Sequence, residues 1–168
     1  MPSMSRVPAP TTVPAVGEGK RGETGHLGYL LRQAAHVYRR RMDRALSSVG
    51  LTYPQFLVLT MICAYPGCSN ADIARLAMLT PQTVHAIING LQHKRLIVRH
   101  PDRAHGRILN IELADSGRKL LERARERATE LEIDVDKALD DTESIAVRRW
   151  LVAVARAADR SVAADDRL

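Results

Sequence analysis

A chain of 168 residues with 45% hydrophobic content has the length of one domain and enough apolar side chain to bury a core. Its two cysteines, Cys63 and Cys68, are too few for a disulfide framework, and no second Cys or His pair stands at zinc-ribbon spacing. Small secreted scaffolds are thereby excluded, and a reduced compartment is expected. The net charge of +6 is uneven: residues 66–113 carry six basic against three acidic side chains and four of the six histidines, whereas 114–168 carry eleven against thirteen, so a polyanion is the expected partner of the middle.

Residues 1–25 combine four prolines and four glycines with scattered Ser and Thr. That composition buries too little apolar surface to offset ordering entropy, so a flexible tail is expected, with Lys20 and Arg21 solvated or, as the alternative, touching DNA. No apolar run there resembles a secretory segment and no stretch is long enough to span a bilayer, so the cytoplasm is the expected location and no membrane partner is foreseen. With only six aromatic residues, the core must come from Leu, Ile, Val and Ala, which points to a mainly α protein.

From His26 to Val49, Leu27, Leu30, Leu31, Ala34, Val37, Tyr38, Met42, Ala45 and Leu46 recur at helical steps, and Gly50 stops the helix. Thr52 and Pro54 open a second helix whose run Phe56 to Ile62 is apolar nearly all round, which predicts a core position. After Tyr65-Pro66-Gly67, the Ser69-to-Asp72 capping pattern starts a short third helix. Thr80 as N-cap and Pro81 at the first helical position start a fourth, with Val84, Ile87, Ile88 and Leu91 inward and Gln82, Thr83, His85, Ala86, Asn89 and His93 outward. Beyond Arg95 the period falls to two, giving strands over Leu96–Arg99 and about Ile108–Leu113 joined by a charged loop. Ala114-Asp115-Ser116 is read as the cap of a helix running to about Leu139, and Thr142 as the cap of a last one carrying Ile145, Trp150, Leu151, Val154 and Ala158.

Helix, turn, capped helix and hairpin in that order make a winged helix-turn-helix flanked by long helices. A helix N-terminus offers free N–H groups and a positive dipole end to phosphate, while short polar side chains on its outer face reach base edges in a major groove. Thr80, Gln82, Thr83, His85 and Asn89 are the candidates for that contact, with Arg103, His105 and Arg107 on the wing. Three long amphipathic helices around a module of under fifty residues also leave apolar faces for a second subunit to cover.

Thr80-Pro81-Gln82-Thr83-Val84 through Leu91 to Arg99 resembles the recognition helix and first wing strand of the multiple-antibiotic-resistance regulator (MarR) family. Leu113-Ala114-Asp115-Ser116-Gly117 resembles its wing-closing motif, and with Gly50 to Phe56 the likeness covers about residues 26–160. The resemblance implies a homodimer intertwined through 26–50 and 114–160, a DNA-binding module at 66–113, short tails at 1–25 and 161–168, and a pseudo-palindromic double-stranded DNA operator. It further implies a repressor released by a small amphipathic or phenolic ligand bound between the dimer helices and the DNA-binding lobe. Tyr38, Met61 and Tyr65 are candidates for lining that pocket, with core packing as their other role. Two positions depart from the family: Arg95 replaces the usual Gly, and His105-Gly106-Arg107 stands where Asp-x-Arg is usual.

Other functions fit less well. No Gly-rich phosphate loop, paired carboxylates or nucleophile elbow accompanies the cysteines and histidines, so neither an enzyme nor a cofactor is expected, and the histidines lack the spacing of a metal-ligand set. The alternatives are a cysteine-based redox sensor acting through Cys63 or Cys68, and a winged helix that binds protein instead of DNA.

Overall fold

The computed structural model describes residues 13–101 and 109–165. Their element order is a short 3-10 turn at Gly19–Arg21, then α1 (Leu27–Ser47), α2 (Tyr53–Ala64), α3 (Asn70–Ala77), α4 (Pro81–His93), β1 (Ile97–Pro101), β2 (Leu109–Leu113), α5 (Asp115–Asp136) and α6 (Asp141–Asp165). The mainly α class and the helix-turn-helix with a two-stranded antiparallel wing are as the sequence leads one to expect. The chain divides into two units at Arg41.

In the first unit, residues 13–25 are not the free tail their composition suggests. Arg21 donates from Nε to Gln33 Oε1 (3.0 Å) and from Nη1 to the Pro14 carbonyl (2.8 Å), while Gln33 Nε2 donates to the Arg21 carbonyl (3.0 Å). Two bonds between Arg21 and Gln33 thus fasten the segment to α1, and a third ties Arg21 back to Pro14 within it.

The second unit is built around α2, which packs against α3, α4, β2 and α5. Phe56, Val58, Leu59 and Ile62 are buried around its axis, as its uninterrupted apolar run requires. A reciprocal cap between Thr52 and Gln55 starts it. Ile73, Ala74 and Ala77 of α3, Val84, Ile88 and Leu91 of α4, and Leu121, Ala124, Ala128 and Leu131 of α5 are also buried. The hairpin pairs Ile97 with Leu113 and Arg99 with Ile111, so Ile97, Ile111 and Leu113 turn one face inward and Arg99 lies on that same face.

Two helix starts differ from their sequence reading. No side chain caps α5 at Ala114; instead Ser116 Oγ donates to the Arg95 carbonyl (2.7 Å), binding the end of the α4 segment to the start of α5. The cap of α6 is Asp140, not Thr142. Its carboxylate accepts from Glu143 N (2.8 Å) while Glu143 accepts from Asp140 N (2.9 Å), a reciprocal cap that satisfies two end donors where Thr142 would satisfy one. Helix α6 also runs past residue 160, to Asp165.

The end of α4 explains why glycine is usual where Arg95 stands. Arg95 N donates to the Gln92 carbonyl (2.9 Å) and Leu96 N to the Leu91 carbonyl (3.0 Å), a closure that forces Arg95 to φ 57°, the left-handed region where glycine is favoured. Relief of that strain, less the greater freedom glycine has when unfolded, makes Arg95→Gly more stable by about 0.5–1 kcal/mol. A thermal or urea midpoint that falls in this variant contradicts the assignment.

Candidate nucleic-acid interface

The helix-turn-helix is shaped by its caps. Ser69 Oγ accepts from Asp72 N (3.2 Å), and the Asp72 carboxylate accepts from Ser69 N (3.2 Å) and Ser69 Oγ (2.7 Å) and pairs with Arg75. The Ser69 hydroxyl first, then Arg75, hold this carboxyl below its ordinary range. Its contribution to α3 is therefore present at neutral pH and is lost as acid protonates it, below the usual carboxylate range. The turn between α3 and α4 places Met78 at φ 54°, with Leu79 N donating to the Ala74 carbonyl (2.9 Å). Met78 is 87% exposed, so the chain reverses there without committing a side chain to the core.

Helix α4 begins with Thr80, whose Oγ1 accepts from Thr83 N (3.2 Å) and lies 2.8 Å from Thr83 Oγ1. Thr80 and Thr83 are thus spent in part on shaping the helix start. Pro81, Gln82, Thr83, His85 and Ala86 are exposed and Asn89 is half-buried, whereas Val84, Ile88 and Leu91 are buried on the opposite side. Gln82, His85 and Asn89 follow helical spacing along one outward stripe. The structure therefore brings Thr80, Gln82, Thr83, His85 and Asn89 together at one exposed helix, with Arg75, Lys94 and Arg95 exposed near its two ends in sequence. Arg103, His105 and Arg107 lie outside the described residues.

Sequence reasoning missed Arg99. Its Nη2 donates to Asn89 Oδ1 (2.8 Å), Asn89 Nδ2 lies 3.0 Å from His85 Nε2, and His93 Nδ1 donates to the Asn89 carbonyl (2.8 Å). A helix residue and a strand residue ten positions apart share no periodicity, so no local signal marks this contact.

Of the remaining candidates, Tyr38 is half-buried on α1, Met61 is half-buried on α2, and Tyr65 is exposed at the C-terminal cap of α2. Cys63, on α2, and Cys68, in the following turn, are both free thiols and half-buried. Among the described residues, no helix is long and apolar enough to cross a membrane.

Comparison with known proteins agrees with this architecture. Residues 49–108 match the MarR family. The HTH-type transcriptional repressor Rv2887 of Mycobacterium tuberculosis (strain ATCC 25618 / H37Rv) is 39% identical over 98 residues, 58% of this chain and 70% of the relative. The crystal structure of Mycobacterium tuberculosis Rv2887 in complex with p-aminosalicylic acid superposes with a TM-score of 0.64 at 30% identity, covering 78% of this chain and 99% of that one. The S. aureus MepR–DNA complex superposes with a TM-score of 0.72 at 27% identity, covering 79% and 96%.

Proposed function

The chain belongs to the MarR family, and from that premise we propose that it is a homodimeric transcriptional repressor that holds a pseudo-palindromic operator through α4 and leaves it when a small ligand binds. The observation that carries this reading is the exposed polar stripe of α4, presented from a capped helix start that is the positive end of the helix dipole. Residues 66–113 act as the DNA-binding module, with 26–50 and 114–160 as the dimerisation helices. The protein works by binding, without a catalytic step, in the cytoplasm where its operator lies.

Dimerisation is supported by α6. Across 141–157 none of its side chains is buried, yet Val147, Trp150, Leu151 and Val154 recur at helical steps along one stripe. Isolated helices are marginal in water, and most helical stability in proteins comes from packing an apolar face. A second copy of the chain supplies that packing.

The ligand is drawn from the same chemistry as the p-aminosalicylic acid carried by the Mycobacterium tuberculosis relative, an aromatic ring bearing a carboxylate. Tyr38 in the first unit, and Met61 and Tyr65 in the second, are each proposed as ligand-contacting residues, their rings and thioether suiting an apolar ring. On the wing, Arg103 and Arg107 are proposed to enter a flanking minor groove, where a guanidinium responds to groove width, and His105 to take the place of the family's Asp.

Alanine at Gln82, Thr83 or His85 is expected to cost about 1–3 kcal/mol on the cognate duplex and to leave binding to unrelated duplexes nearly unchanged. Fluorescence anisotropy on the two duplexes at one salt concentration measures both. A uniform loss on all sequences reassigns the residue to phosphate, and no loss from any of the three removes α4 from the interface.

A further inference from the structure

The contact between β1 and α4 fixes more than a distance. Arginine is a donor only, so the Asn89 amide must turn its Oδ1 toward Arg99 Nη2, at 2.8 Å. The other end of that amide, Nδ2, then faces His85 Nε2 at 3.0 Å and donates to it. An imidazole nitrogen that accepts a hydrogen bond carries no proton. A neutral His85 therefore carries its proton on Nδ1, the ring nitrogen not engaged by Asn89. One strand residue thus dictates which hydrogen-bonding face the exposed histidine of the recognition helix presents.

We infer that Arg99 is a positioning residue for base reading: through Asn89 it holds His85 as the Nδ1–H tautomer, so that His85 offers a donor to acceptor atoms such as guanine N7 and O6, adenine N7 or thymine O4 in the major groove. The inference rests on the reading of α4 as the base-reading helix. A second observation sets Arg99 apart from an ordinary core residue. Arg99 lies on the inward face of β1 beside buried Ile97 and Ile111, and its Nε is buried with no hydrogen-bond partner. A buried guanidinium N–H left unpaired is costly, and an apolar side chain at this position would avoid the cost. What the guanidinium does make at this position is its bond to Asn89. In sequence-specific binding, β1 is then part of the reading apparatus through Asn89 and His85.

The test has two arms, run on the intact dimer. In the first, long-range proton–nitrogen correlation spectra of the free 15N-labelled protein are recorded at about pH 8.5, above the ordinary histidine range. His85 is expected to show a protonated Nδ1 and a bare Nε2 in the parent and in Arg99→Lys, which keeps a donor-only group. The proton is expected to move to Nε2 in Asn89→Asp, whose carboxylate can only accept, and to distribute between both nitrogens in Arg99→Met. A parent His85 protonated on Nε2, or a tautomer identical in all four proteins, overturns the relay. In the second arm, each protein selects duplexes from a pool with randomised half-sites. Arg99→Met is expected to lose preference at one base pair per half-site by at least about fivefold, with a thermal midpoint no lower than the parent's, while Arg99→Lys keeps the preference. A Met variant that loses stability and keeps the parent's base preference makes Arg99 purely structural and overturns the inference. A parent that selects no sequence overturns the reading of α4 instead, and the spectra still decide the relay on their own.

Discussion

Trp150→Asp is expected to convert the dimer to a monomer at concentrations on the order of 10 μM. Trp150 is 38% exposed in the single chain, and with Val147, Leu151 and Val154 it forms the apolar stripe of a helix none of whose side chains is buried across 141–157. In a two-fold dimer every substitution appears twice in the interface. Losing about 1.5–3 kcal/mol of apolar burial per copy amounts to about 3–6 kcal/mol, or roughly a 10²- to 10⁴-fold weaker dimer, before the cost of placing two carboxylates in an apolar seam is added. Because Trp150 is the sole tryptophan, its fluorescence reports the same event: the parent's emission should shift to the red on dilution, and light scattering should follow it. A Trp150→Asp protein that keeps the parent's mass removes α6 from the dimer interface.

Gly117→Ala is expected to destabilise the second unit by about 3 kcal/mol or more, at the upper end of what overpacking costs. A Cβ on Gly117 would stand 2.0 Å from the Leu96 carbonyl oxygen and 3.0 Å from its carbon. Both atoms are backbone, so no rotamer change relieves the clash. The same junction is fastened by Ala114 N to the Leu96 carbonyl (3.0 Å) and by Ser116 Oγ to the Arg95 carbonyl (2.7 Å), so the displaced α5 must pull on the chain between α4 and β1. A fall in thermal midpoint of about 6–12 °C is the expected reading. Gly90→Ala is the control: nothing lies within 4 Å of its added Cβ, and alanine in mid-helix should stabilise by up to about 1 kcal/mol. Equal midpoints for Gly117→Ala and the parent contradict the tight junction.

The parts of this fold that sequence makes legible are those governed by near neighbours. Thr80 and Pro81 announce the start of α4, Ser69 and Asp72 that of α3, and the apolar run Phe56 to Ile62 its own burial, because each signal lies within one or two helical turns. The alternation around Leu109, Ile111 and Leu113 identifies the returning strand for the same reason. Where two short polar residues compete for one cap, as Asp140 and Thr142 do, composition does not choose; the reciprocal partner Glu143 does. The ties that escaped are longer. Arg21 with Gln33 orders a segment whose prolines and glycines read as linker, and Ser116 with Arg95 replaces a local cap by a bond across 21 residues. The Arg99–Asn89–His85 chain escaped because helix and strand periods cannot be compared along a sequence. Of the base-reading candidates, the five on α4 were found by local pattern, and the residue that orients two of them was not.

A dimer of this chain is expected to recognise a two-fold-related DNA sequence through α4. This recognition is tested most directly by selecting genomic fragments with the purified protein and then measuring affinity for the enriched and scrambled duplexes across a salt series. One enriched motif of two inverted half-sites is expected, with centres about one helical turn apart, bound at least about 10³-fold more tightly than the scrambled duplex at matched salt, with both affinities falling as salt rises. Equal affinity for the two duplexes at every salt concentration, with no motif enriched, would contradict it.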